Sequence, residues 1–88
     1  MKRITLYAGS GEKLFSGNLT DLPLDETEVN REAVKRFGEK LCPQRYATIR
    51  QIILVGIFEN NDDEIIIPDE YKVYLKHKNA YKIVVYNA

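Results

Sequence analysis

Two side chains able to act as a nucleophile or a base at neutral pH occur once each in this 88-residue sequence, Cys42 and His77. A thiol needs a neighbouring base before it attacks anything, and nothing in the pattern brings the two together. Cys42 reads as a small buried hydrophobe at a helix end, and His77, between Lys76 and Lys78, as part of a turn. A single cysteine permits neither an internal disulfide nor a cysteine-based metal site. Asp62-Asp63-Glu64 offers the oxygen ligands that hard cations take, but the spacing and loop glycine of an EF-hand are missing, so it reads as a solvated turn. Gly9-Ser10-Gly11 lacks the Gly-Lys-Ser/Thr ending of a phosphate loop and reads as a hairpin turn. There is no Gly-x-Ser-x-Gly, no His-Glu-x-x-His, and no Walker or Rossmann pattern. The expectation is a protein that is not an enzyme, with no metal and no cofactor.

The informative residues are those suited to binding. Near the C-terminus Tyr71, Val73, Leu75, Tyr81, Ile83 and Val85 supply one apolar parity. Lys72, Tyr74, Lys76, Lys82, Val84 and Tyr86 supply the other. If 71–76 and 81–87 pair as an antiparallel hairpin, each set shares a face. A three-residue loop, Lys78-Asn79-Ala80, sets Leu75 opposite Ile83 and Val73 opposite Val85. The first set suffices for a core, which leaves Lys72, Tyr74, Lys76, Lys82, Val84 and Tyr86 as the candidate partner-binding face. Tyrosines anchor protein interfaces. Tyrosines among lysines also stack on bases while the ammoniums meet phosphates.

Other elements must carry that hairpin. Residues 3–8 alternate, and with 13–19 they read as an N-terminal β-hairpin. Asp25 fits a helix N-cap, Glu28 a capping box, and Leu24 with Val29 a hydrophobic staple. Val29, Ala33, Val34, Phe37 and Leu41 then lie on one helical face, with Glu32 and Arg36 forming a supporting i,i+4 pair. Pro43–Ala47 reads as a loop or as a short helix with Pro43 at its first position. Ile52–Phe58 is the longest apolar run. Its β-branched residues and its apolar character on both parities predict a strand buried at the centre of the sheet, with Gly56 marking a bulge or a close backbone approach. A turn over 59–63 and a short strand over 64–67 precede the hairpin. The order β-β-α-β-β-β-β implies an α+β fold, one domain over 1–88. Its sheet is mixed or antiparallel, with one amphipathic helix (about 26–41) packed on one face. Hairpin followed by helix is similar to the opening order of the β-grasp arrangement of ubiquitin-like domains.

Thirteen bases and thirteen acids cancel, so no global field draws the chain to nucleic acid or membrane. Near-zero charge lowers colloidal solubility and favours association, with another protein or as a homodimer. The charges are nevertheless segregated: residues 59–70 hold six acids and no base, and 71–88 hold four lysines and no acid. Met1–Leu6 has no long apolar stretch of the signal-peptide kind, and the expected location is cytoplasmic. The expected function is a non-catalytic protein-binding or regulatory module. It would be of the inhibitor or adaptor type, of the kind phages and mobile elements encode. The alternative is a nucleic-acid-binding domain using the Lys/Tyr face.

Overall fold

The computed structural model describes residues 2–39, 42–59 and 63–87. Strand β1 (Lys2–Ala8) pairs antiparallel with β2 (Lys13–Asn18), as the alternation predicts. The turn closes where Ala8 N–H donates to Glu12 O at 2.9 Å and Gly11 N–H to Ala8 O at 3.0 Å. Gly11 has φ 92°, a left-handed conformation that glycine adopts without steric cost.

After a 3-10 turn at Leu19–Asp21, helix α1 (Glu26–Phe37) begins at the expected cap. Asp25 Oδ1 accepts from Thr27 N–H at 3.1 Å and from Glu28 N–H at 3.3 Å. The capping box does not close. Glu28 pairs with Arg31 instead, and Asp25 N–H donates to Tyr74 O at 2.7 Å. Gly38, with φ 96°, ends the helix by donating its N–H to Val34 O, earlier than the expected end near Leu41. Lys40 and Leu41 lie outside the described residues. Val29 and Ala33 are fully buried, but Val34 is exposed and Phe37 is 38% exposed. The expected packing of Val34 and Phe37 on the sheet is therefore wrong. Ending at Gly38 leaves Phe37 at the helix terminus, where the Arg45 guanidinium lies 5.6 Å from its ring.

The apolar run is not a strand. Ile52–Ile57 forms the end of α2 (Pro43–Ile57), with Phe58 as its C-cap, and the helix starts with Pro43 in its first turn. Ile49, Ile53, Leu54 and Ile57 are buried at helical spacing, while Ile52 and Val55 face solvent. Packing against the sheet overrides the β preference of isoleucine and valine. Gly56 does mark a close approach, from a side chain. A Cβ there would lie 2.2 Å from both Cζ and Oη of Tyr71.

The C-terminal hairpin is also absent. Beyond β3 (Glu64–Ile66), Pro68 caps a single helical turn, α3 (Asp69–Lys72), with two acids in it. Successive bonds, Tyr71 N–H to Pro68 O at 2.9 Å and Tyr74 N–H to Tyr71 O at 3.1 Å, coil the segment that was expected to be extended. Leu75 bridges Leu24, and Lys76 N–H donates to Pro23 O at 3.2 Å. Strand β4 (Ala80–Asn87) instead runs between β1 and β3, placing Ile83 opposite Leu6 and Ile65, and Val85 opposite Ile4. The sheet is antiparallel throughout, in the order β2-β1-β4-β3. The fold is α+β, and it departs from the expected order after α1, where a second helix replaces a strand. Ile4, Leu6 and Ile83 from the sheet join Val29, Ala33, Ile49 and Ile53 from the helices in one core. Both long helices thus cover the same face of the sheet.

Candidate binding surface

The other face carries the opposite parity of each strand. Register places Arg3 between Asn18 and Tyr86, Thr5 between Ser16 and Val84, and Tyr7 beside Lys82. Glu64 lies beyond Val84 and Ile66 beyond Lys82 on β3. None of these residues belongs to the core.

Tyr86 organises one half of this surface. Its hydroxyl lies 3.4 Å from Ser16 Oγ, which lies 3.4 Å from Thr5 Oγ1. Tyr86 starts on β4 and Ser16 sits on β2, with β1 between them. Two strand spacings are about 9.6 Å. A phenol can reach across only by lying along the sheet over β1. That placement explains why Thr5, on an otherwise open face, is only 6% exposed. One side of the Tyr86 ring rests on the sheet and the other meets solvent, leaving the residue 40% exposed. The Ser16 hydroxyl at its oxygen, and beyond it the polar groups of Thr5 and Arg3, favour the phenolate and bring the Tyr86 pKa down to about 8.

In the other half, Lys82 Nζ sits 5.8 Å from the centre of the Tyr7 ring and 2.9 Å from Glu64 Oε1. The Glu64 carboxylate holds the Lys82 ammonium above its usual range. The surface therefore presents two tyrosines on its central strands, an ion pair of both signs, and the apolar Val84 and exposed Ile66. Arg3 has no ion-pair partner among the described residues.

Of the six residues expected to share one face, Lys82, Val84 and Tyr86 do so; the other three are elsewhere. Lys72 bridges Asp69 at 3.2 Å and lies over Tyr81, at 5.8 Å from the ring centre. Tyr74 is half-buried, and its hydroxyl donates to Glu32 Oε2 at 3.0 Å. Burial raises the Tyr74 phenol, while Arg36, bonded at 2.7 Å, lowers the Glu32 carboxyl. Lys76 borders an open groove of about 740 Å3 with Asp25, Tyr46 and Arg50. Sequence reasoning missed Arg3, Thr5, Tyr7 and Ser16. The outward parity of β1 was visible, but its neighbour in the sheet was not.

The remaining chemistry is sparse. Cys42 precedes α2 and is half-buried. His77 O accepts from Ala80 N–H in the turn before β4. Asp62 lies outside the described residues, and Glu64 is occupied by Lys82. Among the described residues no group of three or more His, Cys, Asp or Glu could hold a metal ion, and no helix is long and apolar enough to cross a membrane. Comparison with protein-family models, with curated proteins and with solved structures finds no match.

Proposed function

We propose that this chain is a non-catalytic binding module that receives another protein on the open face of its sheet, on Tyr7, Lys82, Val84 and Tyr86. The observation that carries the reading is the Tyr86 ring, laid along the sheet with one side free. A ring already held in place loses little conformational freedom on binding, the property that makes tyrosine an effective interface anchor. The Glu64–Lys82 pair favours a protein partner over a polyanion, because the ammonium that would meet a phosphate already has a carboxylate at 2.9 Å. Val84 and Ile66 add apolar surface that a protein contact buries.

One observation supports a second reading. Arg3, without an ion-pair partner among the described residues, stands opposite Tyr86, and a flat ring beside a cation also suits a base and its phosphate in single-stranded nucleic acid. The test is capture of partners from native lysate, with and without nuclease, by the parent and by a Lys82→Ala/Tyr86→Ala variant shown to melt as the parent does. Loss of a nuclease-resistant partner supports the protein reading. Loss of a nuclease-sensitive partner whose binding falls steeply with salt supports the second. Full retention by the folded variant rejects the surface.

A further inference from the structure

The helix layer, on the far side of the molecule, holds a second surface. On α2, Thr48, Ile52 and Val55 face outwards, with Val55 58% and Ile52 37% exposed. With Arg45 before them and Glu59 just past the helix, the positions step by three and four residues, the spacing of a coiled-coil seam. Between Arg45 and Glu59 the only charged residue is Arg50. It is turned aside, its guanidinium donating to Thr20 O at 3.1 Å and Leu22 O at 3.0 Å. Two apolar hollows, of about 470 and 330 Å3, flank Val55 and both include Gln51. An uncharged ridge with large apolar side chains in water calls for a covering.

We infer that a second copy of this chain covers it, α2 packing antiparallel on α2 about a two-fold axis at Ile52. The charges select that occupant and that direction. Arg45 and Glu59 are equidistant from Ile52 in sequence, seven residues on either side. A two-fold axis there brings Arg45 of one copy to Glu59 of the other at both ends, sets Ile52 against Ile52, and lays Thr48 beside Val55. Parallel packing would oppose Arg45 to Arg45. One N–H of Arg45 already donates to Phe37 O at 2.7 Å; a guanidinium has four more. Zero net charge removes any general repulsion between copies. The interface is isologous and so closes at two copies, and it leaves the open sheet face free on both.

The test is sedimentation equilibrium over a wide concentration range, with melting temperature as a check on folding. The parent should pass from 10.2 kDa towards twice that mass. Val55→Lys, at an exposed position, should raise the dissociation constant about tenfold or more. Glu59→Arg should weaken association, and Arg45→Glu/Glu59→Arg should restore it, as only the antiparallel pairing requires. A parent that stays at monomer mass throughout overturns the inference. So does self-association indifferent to Val55→Lys, or a double variant no better than Glu59→Arg. A monomeric parent that captures a different protein, lost in Val55→Lys, assigns the ridge to another partner and equally overturns self-pairing.

Discussion

Gly56→Ala tests the helix that replaced the expected strand. The new Cβ would stand 2.2 Å from Tyr71 Cζ and Oη and 2.7 Å from Cε1. Ordinary contact between such atoms is about 3.5–4.0 Å, so the ring must move by more than about 1 Å. It is not free to do so cheaply. Tyr71 packs against the core, its ring centre is 6.4 Å from that of Tyr74, and Tyr74 is tied to Glu32. Forcing atoms into a packed site costs about 1–3 kcal/mol. Against this, alanine is favoured over glycine in a helix interior by about 1 kcal/mol. The net expectation is a loss of up to about 2 kcal/mol. The decisive experiment is a cycle with Tyr71→Ala, read by urea denaturation. Tyr71→Ala alone should destabilise, but in that background Gly56→Ala meets no ring and should stabilise by about 1 kcal/mol. The coupling is then about 1–3 kcal/mol, well above the few tenths seen for independent sites. Additive effects within about 0.5 kcal/mol, or stabilisation by Gly56→Ala in the parent, would refute the contact and with it the seating of α3 on α2.

Two further predictions concern single side chains. Asp25→Ala removes an N-cap and the partner of Lys78, whose Nζ lies 2.9 Å from Asp25 Oδ2, and should lower the melting temperature by about 4–8 °C. The hydrogen bond from Lys78, above all, holds the Asp25 carboxyl below the usual carboxylate range. Its contribution is therefore complete above about pH 4 and fades as pH falls through the lower folded value, so the stability difference between parent and Asp25→Ala should shrink in acid. For Tyr86, ultraviolet phenolate titration should show one tyrosine ionising near pH 8, absent in Tyr86→Phe and moved towards 10 in Ser16→Ala. Because the folded pKa is the lower one, this phenol adds stability as pH rises from about 8 to 10, and none below. A titration in which no tyrosine ionises near pH 8 would rule out the hydroxyl row.

The elements that could be read in the sequence were those with local instructions. The first hairpin, the Asp25 cap and the Glu64–Ile66 strand each carry their signal within a few residues. The failures share a cause. Ile52–Phe58 is a window of seven residues, too short for composition and parity to separate a buried strand from a helix. Extended back to Pro43, the same stretch shows Tyr46, Ile49, Ile53 and Ile57 at helical spacing with polar Gln44, Thr48 and Gln51 outside. At Tyr71–Lys76 the alternation was real, but Pro68-Asp69-Glu70 is also a helix start. The binding surface was half legible for the same reason. Lys82, Val84 and Tyr86 share a face because β4 is a strand, whatever it pairs with. That Arg3, Thr5 and Tyr7 join them depends on β1 meeting β4 across nearly the whole chain, and no local pattern encodes that.

The misread run matters to function because it decides how many layers the fold has. As a strand it would have widened the sheet and left one long helix to cover it. As α2 it joins the helix layer instead. Four strands span about 15–20 Å, and two packed helices about 10 Å apart cover a similar width. Helices α1 and α2 therefore cover one face of the sheet and are used up in doing so. No described element remains to cover the other face, so Tyr7 and Tyr86, set on the two central strands, stay in water. The same arrangement turns the outer ridge of α2 away from the sheet. The two exposed surfaces are consequently back to back, joined through a core that both helices share. A substitution at Val55 and one at Tyr86 should then add independently in any assay that reads both association and binding. Strong non-additivity would mean that both residues serve one partner, and that the two surfaces do not act separately.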